Sequence, residues 1–259
     1  MLAAVAHRGP LRIQRVFQPE PSGTRPCHVY LLHPPGGLAS QDQLDIEIEL
    51  DPGAAALFTA PSAQKVYRSV GATSRQSVRV RAQEDSCIEW LPPETIVFSE
   101  ARTELRLTVD LAPRARFVGA DVLCLGRPAS GAPFRSGRIV QRIEIRRCEQ
   151  PLLSERLELS EDSPLLGGAF GTGSYTAIGT LVATAPPTDR LDVDLALVRG
   201  ALRCRDGERI GATAVRGLVV VRFLGFQAER AHALLRRAWA LLRPSVVGSP
   251  PIEPRVWAV

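Results

Sequence analysis

The sequence predicts a mostly β protein of one domain, residues 1–259, with one or two helices. Three observations carry that expectation. Apolar and polar residues alternate with period two in segment after segment, the pattern of half-buried strands. Turn formers are abundant, with 21 Gly and 21 Pro among 259 residues, about one residue in six against a usual one in eight. The strand-like runs recur at the roughly 8–12-residue spacing that sandwiches, barrels and solenoids share, and no fixed-length repeat chooses between them.

Taken in order, Leu44-Asp45-Ile46-Glu47-Ile48-Glu49-Leu50 places apolar residues on one face and three acids on the other, and Asp51-Pro52-Gly53 ends it. Leu105-Arg106-Leu107-Thr108-Val109-Asp110-Leu111 repeats the pattern before Ala112-Pro113, and Leu191-Asp192-Val193-Asp194-Leu195 reads as a third such strand. Phe117-Val118-Gly119-Ala120-Asp121-Val122-Leu123-Cys124-Leu125 is apolar on both faces, as a strand covered on both sides is. Near the end, Ala231, Leu234, Leu235, Ala238, Trp239 and Leu242 recur at helical spacing, so a helix is predicted near 228–243, closed by Pro244. The tail that follows is proline-rich and ends in Trp257, an anchor for an extended segment.

Composition excludes several classes. Net charge is only +5 and 45% of residues are hydrophobic, so the chain is not disordered. The apolar run at Gly217–Val221 stops at Arg222, far short of the ~18–20 residues a spanning helix needs. Met1–Ala6 has no basic region ahead of its apolar residues, so no signal-peptide layout is present and a cytoplasmic location is expected. The arginines are spread through alternating strands rather than massed in a stripe, which argues against nucleic acid as partner. Cys27, Cys87, Cys124, Cys148 and Cys204 are odd in number and widely spaced, as reduced thiols are. Among 32 basic residues Lys65 is the one lysine, which sets it apart because arginine cannot supply a compact titratable amine.

No catalytic constellation emerges. The chain has no G-x-S-x-G, no H-E-x-x-H and no P-loop lysine, and Gly167-Gly168-Ala169-Phe170-Gly171-Thr172-Gly173 reads as a flexible loop. His28 and His33 are five residues apart and face opposite sides of a continuing strand, while His33 beside Pro34-Pro35-Gly36-Gly37 is a candidate transient metal ligand. Asp121 lies in the doubly apolar segment, and Glu155 falls on the Leu153, Leu157, Leu159 side of its own strand. A lone buried carboxylate costs several kcal/mol unless paired, hydrated or bound to a cation. Structural ion pairs with arginine and a hydrated interior path both answer that demand. Glu89 and Glu94, flanking Trp90-Leu91-Pro92-Pro93, read as surface acids beside a rigid turn.

The string His28-Val29-Tyr30-Leu31-Leu32-His33-Pro34-Pro35-Gly36-Gly37-Leu38 resembles the N-terminal signature of the urease accessory family UreD, called UreH in some bacteria. The likeness continues through Thr59-Ala60-Pro61-Ser62-Ala63-Gln64-Lys65-Val66-Tyr67-Arg68-Ser69, Glu89–Phe98, Leu123–Gly131, Pro151–Leu157 and the Pro254-Arg255-Val256-Trp257 ending. The resemblance implies a solenoid-like β domain without enzymatic activity. It implies a scaffold that docks on apo-urease and recruits UreF and, through it, UreG, as a heterocomplex that can pair into a dimer. It also implies transient Ni2+ in an internal water-filled channel, and no tightly bound cofactor. Matched position by position, the resemblance assigns Asp42, Gln64, Lys65, Asp121 and Glu155 to the nickel path, with His33 beside them. Relatives commonly carry Gly-Gly ahead of the acid at Asp42, where this chain has Ser40-Gln41. Reliance on a partner also predicts poor solubility of the lone chain.

Overall fold

A computed structural model describes residues 3–20, 26–185 and 191–258. Each turn of chain contributes a strand to each of two walls and a short strand at the corner between them. On one wall, Cys27–Leu32, Ala55–Thr59, Cys87–Trp90 and Arg116–Arg127 run parallel in a 12-stranded sheet. On the other, Gln43–Leu50, Ser74–Ala82, Ala101–Leu111 and Gly137–Arg147 run parallel in a 5-stranded sheet. The corner pieces Gly37–Leu38, Gln64–Val66 and Thr95–Val97 also stack in parallel, onto the far half of Arg116–Arg127. The result is a β-solenoid of about three turns.

Corner chemistry sets the turns. Gly53 takes a left-handed φ of 71° and its amide donates to the Glu84 carbonyl of the next turn at 2.9 Å. Arg114 then donates to both carboxylate oxygens of Asp85 at 2.7 Å, joining one corner to the next. The solenoid ends in antiparallel pairing. Gln150–Ser160 folds back on Gly137–Arg147, and Ala177–Thr184, Leu218–Gly225 and Arg209–Val215 extend the larger sheet beyond Arg116–Arg127.

Interior alternation builds the core between the walls, with Val29, Ile48, Val80, Ile88, Val109, Phe117 and Ile145 buried there. The outer face of the larger sheet is covered by two helices, α1 (Leu191–Ala201) and α2 (Ala228–Val246), through Leu195, Val198, Leu235, Ala238, Trp239 and Leu242. That cover explains why Phe117–Leu125 is apolar on both faces.

Two expectations change. Leu191–Leu195 is helical: Leu195 and Val198 are buried while Val193 is 53% exposed, a helical and not an alternating burial pattern. Helix α2 runs through Pro244 to Val246; the Val247 amide bonds the Arg243 carbonyl at 2.7 Å and holds the last turn. The tail ends in a short 3-10 turn, Arg255–Ala258, whose Trp257 indole donates to Thr59 at 3.0 Å and meets Trp239 edge-on. No helix among the described residues is long and apolar enough to cross a membrane.

Candidate functional site

Inward-facing positions of the smaller wall form registered rows. Leu44, Gln76, Leu105 and Gln141 make one row; Ile46, Val78, Leu107 and Ile143 make the next. The first row therefore puts two amides into an otherwise aliphatic interior. Across from it, Arg116–Arg127 directs Asp121 inward. Between them lies a cavity of about 100 Å³, also lined by His33, Gln64 and Thr95.

Asp121 accepts a 2.6 Å hydrogen bond from the Gln141 amide, a neutral partner. Burial pushes the Asp121 carboxyl up, because that single amide bond does not replace the lost hydration. The His33 Nδ1 and Gln64 Nε2 atoms are buried with no partner in the described protein. A polar space of this size has room for several waters, the usual partners of such groups.

The polar lining continues toward the far edge of the larger wall. Thr180 and Arg222 follow Asp121 in register on successive strands. The Arg222 guanidinium donates to Thr180 at 3.1 Å and to the Glu155 carboxylate from the facing wall. Glu155 thus takes the arginine partner that one of the two sequence readings called for. At the opposite end, Leu31, His33, Leu44 and Ile46 line both this cavity and a larger cleft at the first turn of the solenoid, so His33 stands between the two spaces.

Of the six residues assigned to a path, His33, Gln64 and Asp121 share the cavity, whereas Glu155 lies outside it in a partly exposed pair with Arg222. Asp42 and Lys65 lie outside the cavity. The Asp42 carboxylate accepts from the Ala39 amide at 2.7 Å and closes its own turn, at the mouth of the first-turn cleft. Lys65 sits between Gln64 and Val66 on a three-residue strand and so alternates to the other face; it makes no ion pair among the described residues. The loop before Asp42 holds a left-handed residue: Gln41 has φ 70°, and the Ser40 hydroxyl ties the loop to Ser69 at 2.8 Å.

Glu89 is the clearest correction to the sequence reading. It is not a surface acid; it is fully buried under α2. Its carboxylate accepts from the Trp239 indole at 2.6 Å and from Arg243 at 3.0 Å, and Arg243 also donates to Glu20. His28 completes the network 3.2 Å from Glu20, on the opposite side of its strand from the cavity that His33 lines. Burial raises the Glu89 carboxyl, and burial also lowers the His28 imidazole. A signal for this was present: Arg243 follows Trp239 by four residues, inside the apolar stripe of α2. Glu94 is half-buried and bonded to His232 at 2.9 Å.

Thiols do not contribute to the cavity. All five cysteines are free, and burial pushes Cys87 and Cys124 up to about 12; Cys124 is three residues from Asp121 and faces α2. No group of three or more His, Cys, Asp or Glu among the described residues is arranged to hold a metal ion.

The family model for the UreD urease accessory protein matches residues 1–258. A protein of Alkalilimnicola ehrlichii named urease accessory protein UreD is 44% identical over 254 residues, covering 97% of this chain and 84% of its own length. Proteins of the same name from Nitrosococcus oceani and Pseudomonas putida strain W619 are 40% and 39% identical, covering 97% and 99% of this chain and 82% and 88% of their own lengths. With agreement of that extent from one end of the solenoid to the other, the chain belongs to the UreD family of urease accessory proteins and serves urease maturation.

Proposed function

We propose that this chain is a non-catalytic scaffold that docks on apo-urease, recruits UreF and through it UreG, and lets nickel pass through its interior. The observation that carries the reading is the cavity itself: a carboxylate at Asp121 held by a neutral amide, with His33 and Gln64 beside it and no thiol in reach. Passage requires sites that bind a cation weakly enough to release it. Single oxygen and imidazole donors do this, while thiolates hold nickel more tightly. Among the described residues no arginine or lysine pairs with Asp121, which leaves its carboxyl oxygens to a cation.

A second reading is favoured by the Glu155–Arg222 pair: a scaffold whose interior acids are structural while nickel travels elsewhere. Urease activity in cells lacking only this chain, at ordinary and excess nickel, tests the maturation role, and the variants Asp121→Asn and Glu155→Gln separate the two readings. For a conduit, Asp121→Asn leaves the complex assembled but activates urease poorly at limiting nickel, with partial rescue by excess. Unimpaired activation at limiting nickel would sink the conduit and leave the scaffold.

A further inference from the structure

The five-stranded wall begins at Gln43–Leu50, which bonds Ser74–Ala82 on one side and no strand among the described residues on the other. The same turn is covered on the larger wall, where Arg12–Ile13 pairs antiparallel with Leu31 and Leu32 and Phe17 bridges His28. Two observed bonds fix which backbone groups are open. The carbonyls of Asp42 and Leu50 accept from the amides of Arg75 and Gln83 at 2.8 and 3.1 Å. Alternate residues of a parallel strand bond the same neighbour. Leu44, Ile46 and Ile48 therefore bond Ser74–Ala82, and the N–H and C=O groups of Gln43, Asp45, Glu47 and Glu49 point off the edge.

Beside that edge runs a cleft of about 660 Å³ whose far wall is residues 4–11. These residues make no backbone hydrogen bond to the edge among the described residues. The floor of the cleft is apolar, with Leu31, Leu44, Ile46 and Phe58. Leu44 and Ile46 stay half-buried, whereas Ile48 and Leu50 further along the strand are buried.

We infer that this edge is a strand-addition site, which takes an extended segment of a second polypeptide whose apolar residues alternate with basic ones. Period-two alternation lets one side of such a segment fill the apolar floor while its backbone satisfies the open groups. The other side of the segment stands directly opposite Asp45, Glu47 and Glu49. Asp45 makes no ion pair among the described residues, and Glu47 and Glu49 make only exposed pairs, with Arg79 and Arg81 respectively. Opposite charges across strands attract, and like charges repel. A second copy of this chain would bring the same three acids against each other, so the occupant is a different polypeptide. The inference stands apart from nickel passage.

The test is fluorescence anisotropy of the full chain with a labelled eight-residue peptide that alternates valine and arginine. Four comparison peptides accompany it: the same residues in block order, glutamates in place of the arginines, and two in which one or the other alternate set of residues is N-methylated. Strand addition predicts that the alternating peptide binds at least about tenfold tighter than the block-order and glutamate peptides, and that one of the two N-methyl sets abolishes binding while the other leaves it within about twofold. Amide exchange at Asp45, Glu47 and Glu49 slows in the complex. Equal affinity for every peptide, or binding of none, overturns the inference. A dimer of the chain that the peptide dissociates assigns the edge to a second copy and overturns it equally.

Discussion

Replacing Arg243 by Met tests the buried network that joins α2 to the solenoid. Arg243 is fully buried and donates to Glu89, to Glu20 and to the Pro250 carbonyl. A methionine of similar length keeps most of the packing but leaves two buried carboxylates without a cation. Breaking a buried pair by removing one partner costs about 3–5 kcal/mol, and the Pro250 carbonyl loses a donor worth about 1 kcal/mol. The expected loss is thus about 4–6 kcal/mol at pH 7.5. At ~2–4 °C per kcal/mol for a chain of this size, the melting midpoint falls by about 8–24 °C.

The pH dependence of that loss has a definite sign. Burial already raises the Glu89 carboxyl, and Arg243 works against that rise; without it the folded-state value climbs further. A carboxyl raised in the folded state takes up protons there before the unfolded chain does, so acidification favours folding between its folded and unfolded values. The variant also loses the Arg243 charge that helps hold His28 below its usual range, which again eases proton uptake in the folded state. The deficit relative to the parent must therefore shrink between pH 7.5 and pH 5. Urea unfolding followed by tryptophan fluorescence at both pH values measures it, with Trp239 inside the network as a reporter. Adding Glu89→Gln to Arg243→Met removes one buried charge while keeping an acceptor for the Trp239 indole, and is expected to recover at least ~1 kcal/mol at pH 7.5. A loss below ~1 kcal/mol, or one that grows on acidification, would refute the assignment of net stability to this network.

Three further outcomes follow from other parts of the molecule. Gly137→Ala meets both a φ of 118° and an Ala101 carbonyl oxygen 2.3 Å from the new Cβ, so about 3 kcal/mol of stability is lost in urea titration. The His232 hydrogen bond holds the Glu94 carboxyl below its usual range, so its contribution is present above the unfolded value and fades as pH falls through the folded one. Glu94→Gln accordingly costs ~0.5–1 kcal/mol at pH 6, discounted for partial exposure, and almost nothing at pH 3. Phe170 is fully exposed on its glycine loop, and Phe170→Ser is expected to raise the soluble concentration of the lone chain about twofold or more by ultracentrifugation.

Strands were legible in the sequence wherever one face meets the core, because alternation is then enforced residue by residue. The solenoid was not legible in the periodicity; the family resemblance alone implied it, correctly. Its registered partners lie 29, 32 and 29 residues apart on one wall, Cys27 to Ala56, Ala55 to Cys87 and Cys87 to Arg116. On the other wall the intervals from Gln43 to Arg75, Glu104 and Val140 are 32, 29 and 36 residues. Corners of unequal length absorb the differences, so no fixed period survives in the sequence even though the strands stack in register. Leu191–Leu195 misled for a different reason: three apolar residues two apart satisfy a strand, and only Val198 beyond them reveals the helical face.

At the candidate site, the same parity rule both succeeded and fell short. It placed Asp121 at the cavity, since it shares a face with aliphatic residues of its own strand, but Glu155 is only half-buried, in a partly exposed pair with Arg222. It could not supply Arg222, which meets Glu155 across 67 residues of sequence. It misplaced Glu89 because the face of Cys87–Trp90 that points away from the solenoid interior is covered by α2, and outward there does not mean exposed. Gln64 and Lys65 make the point at its smallest scale. They are adjacent in the string that resembles the family, yet successive residues of a strand point to opposite faces. A nickel path through the interior can therefore use the Gln64 amide directly, whereas Lys65 can act on it only from outside the wall.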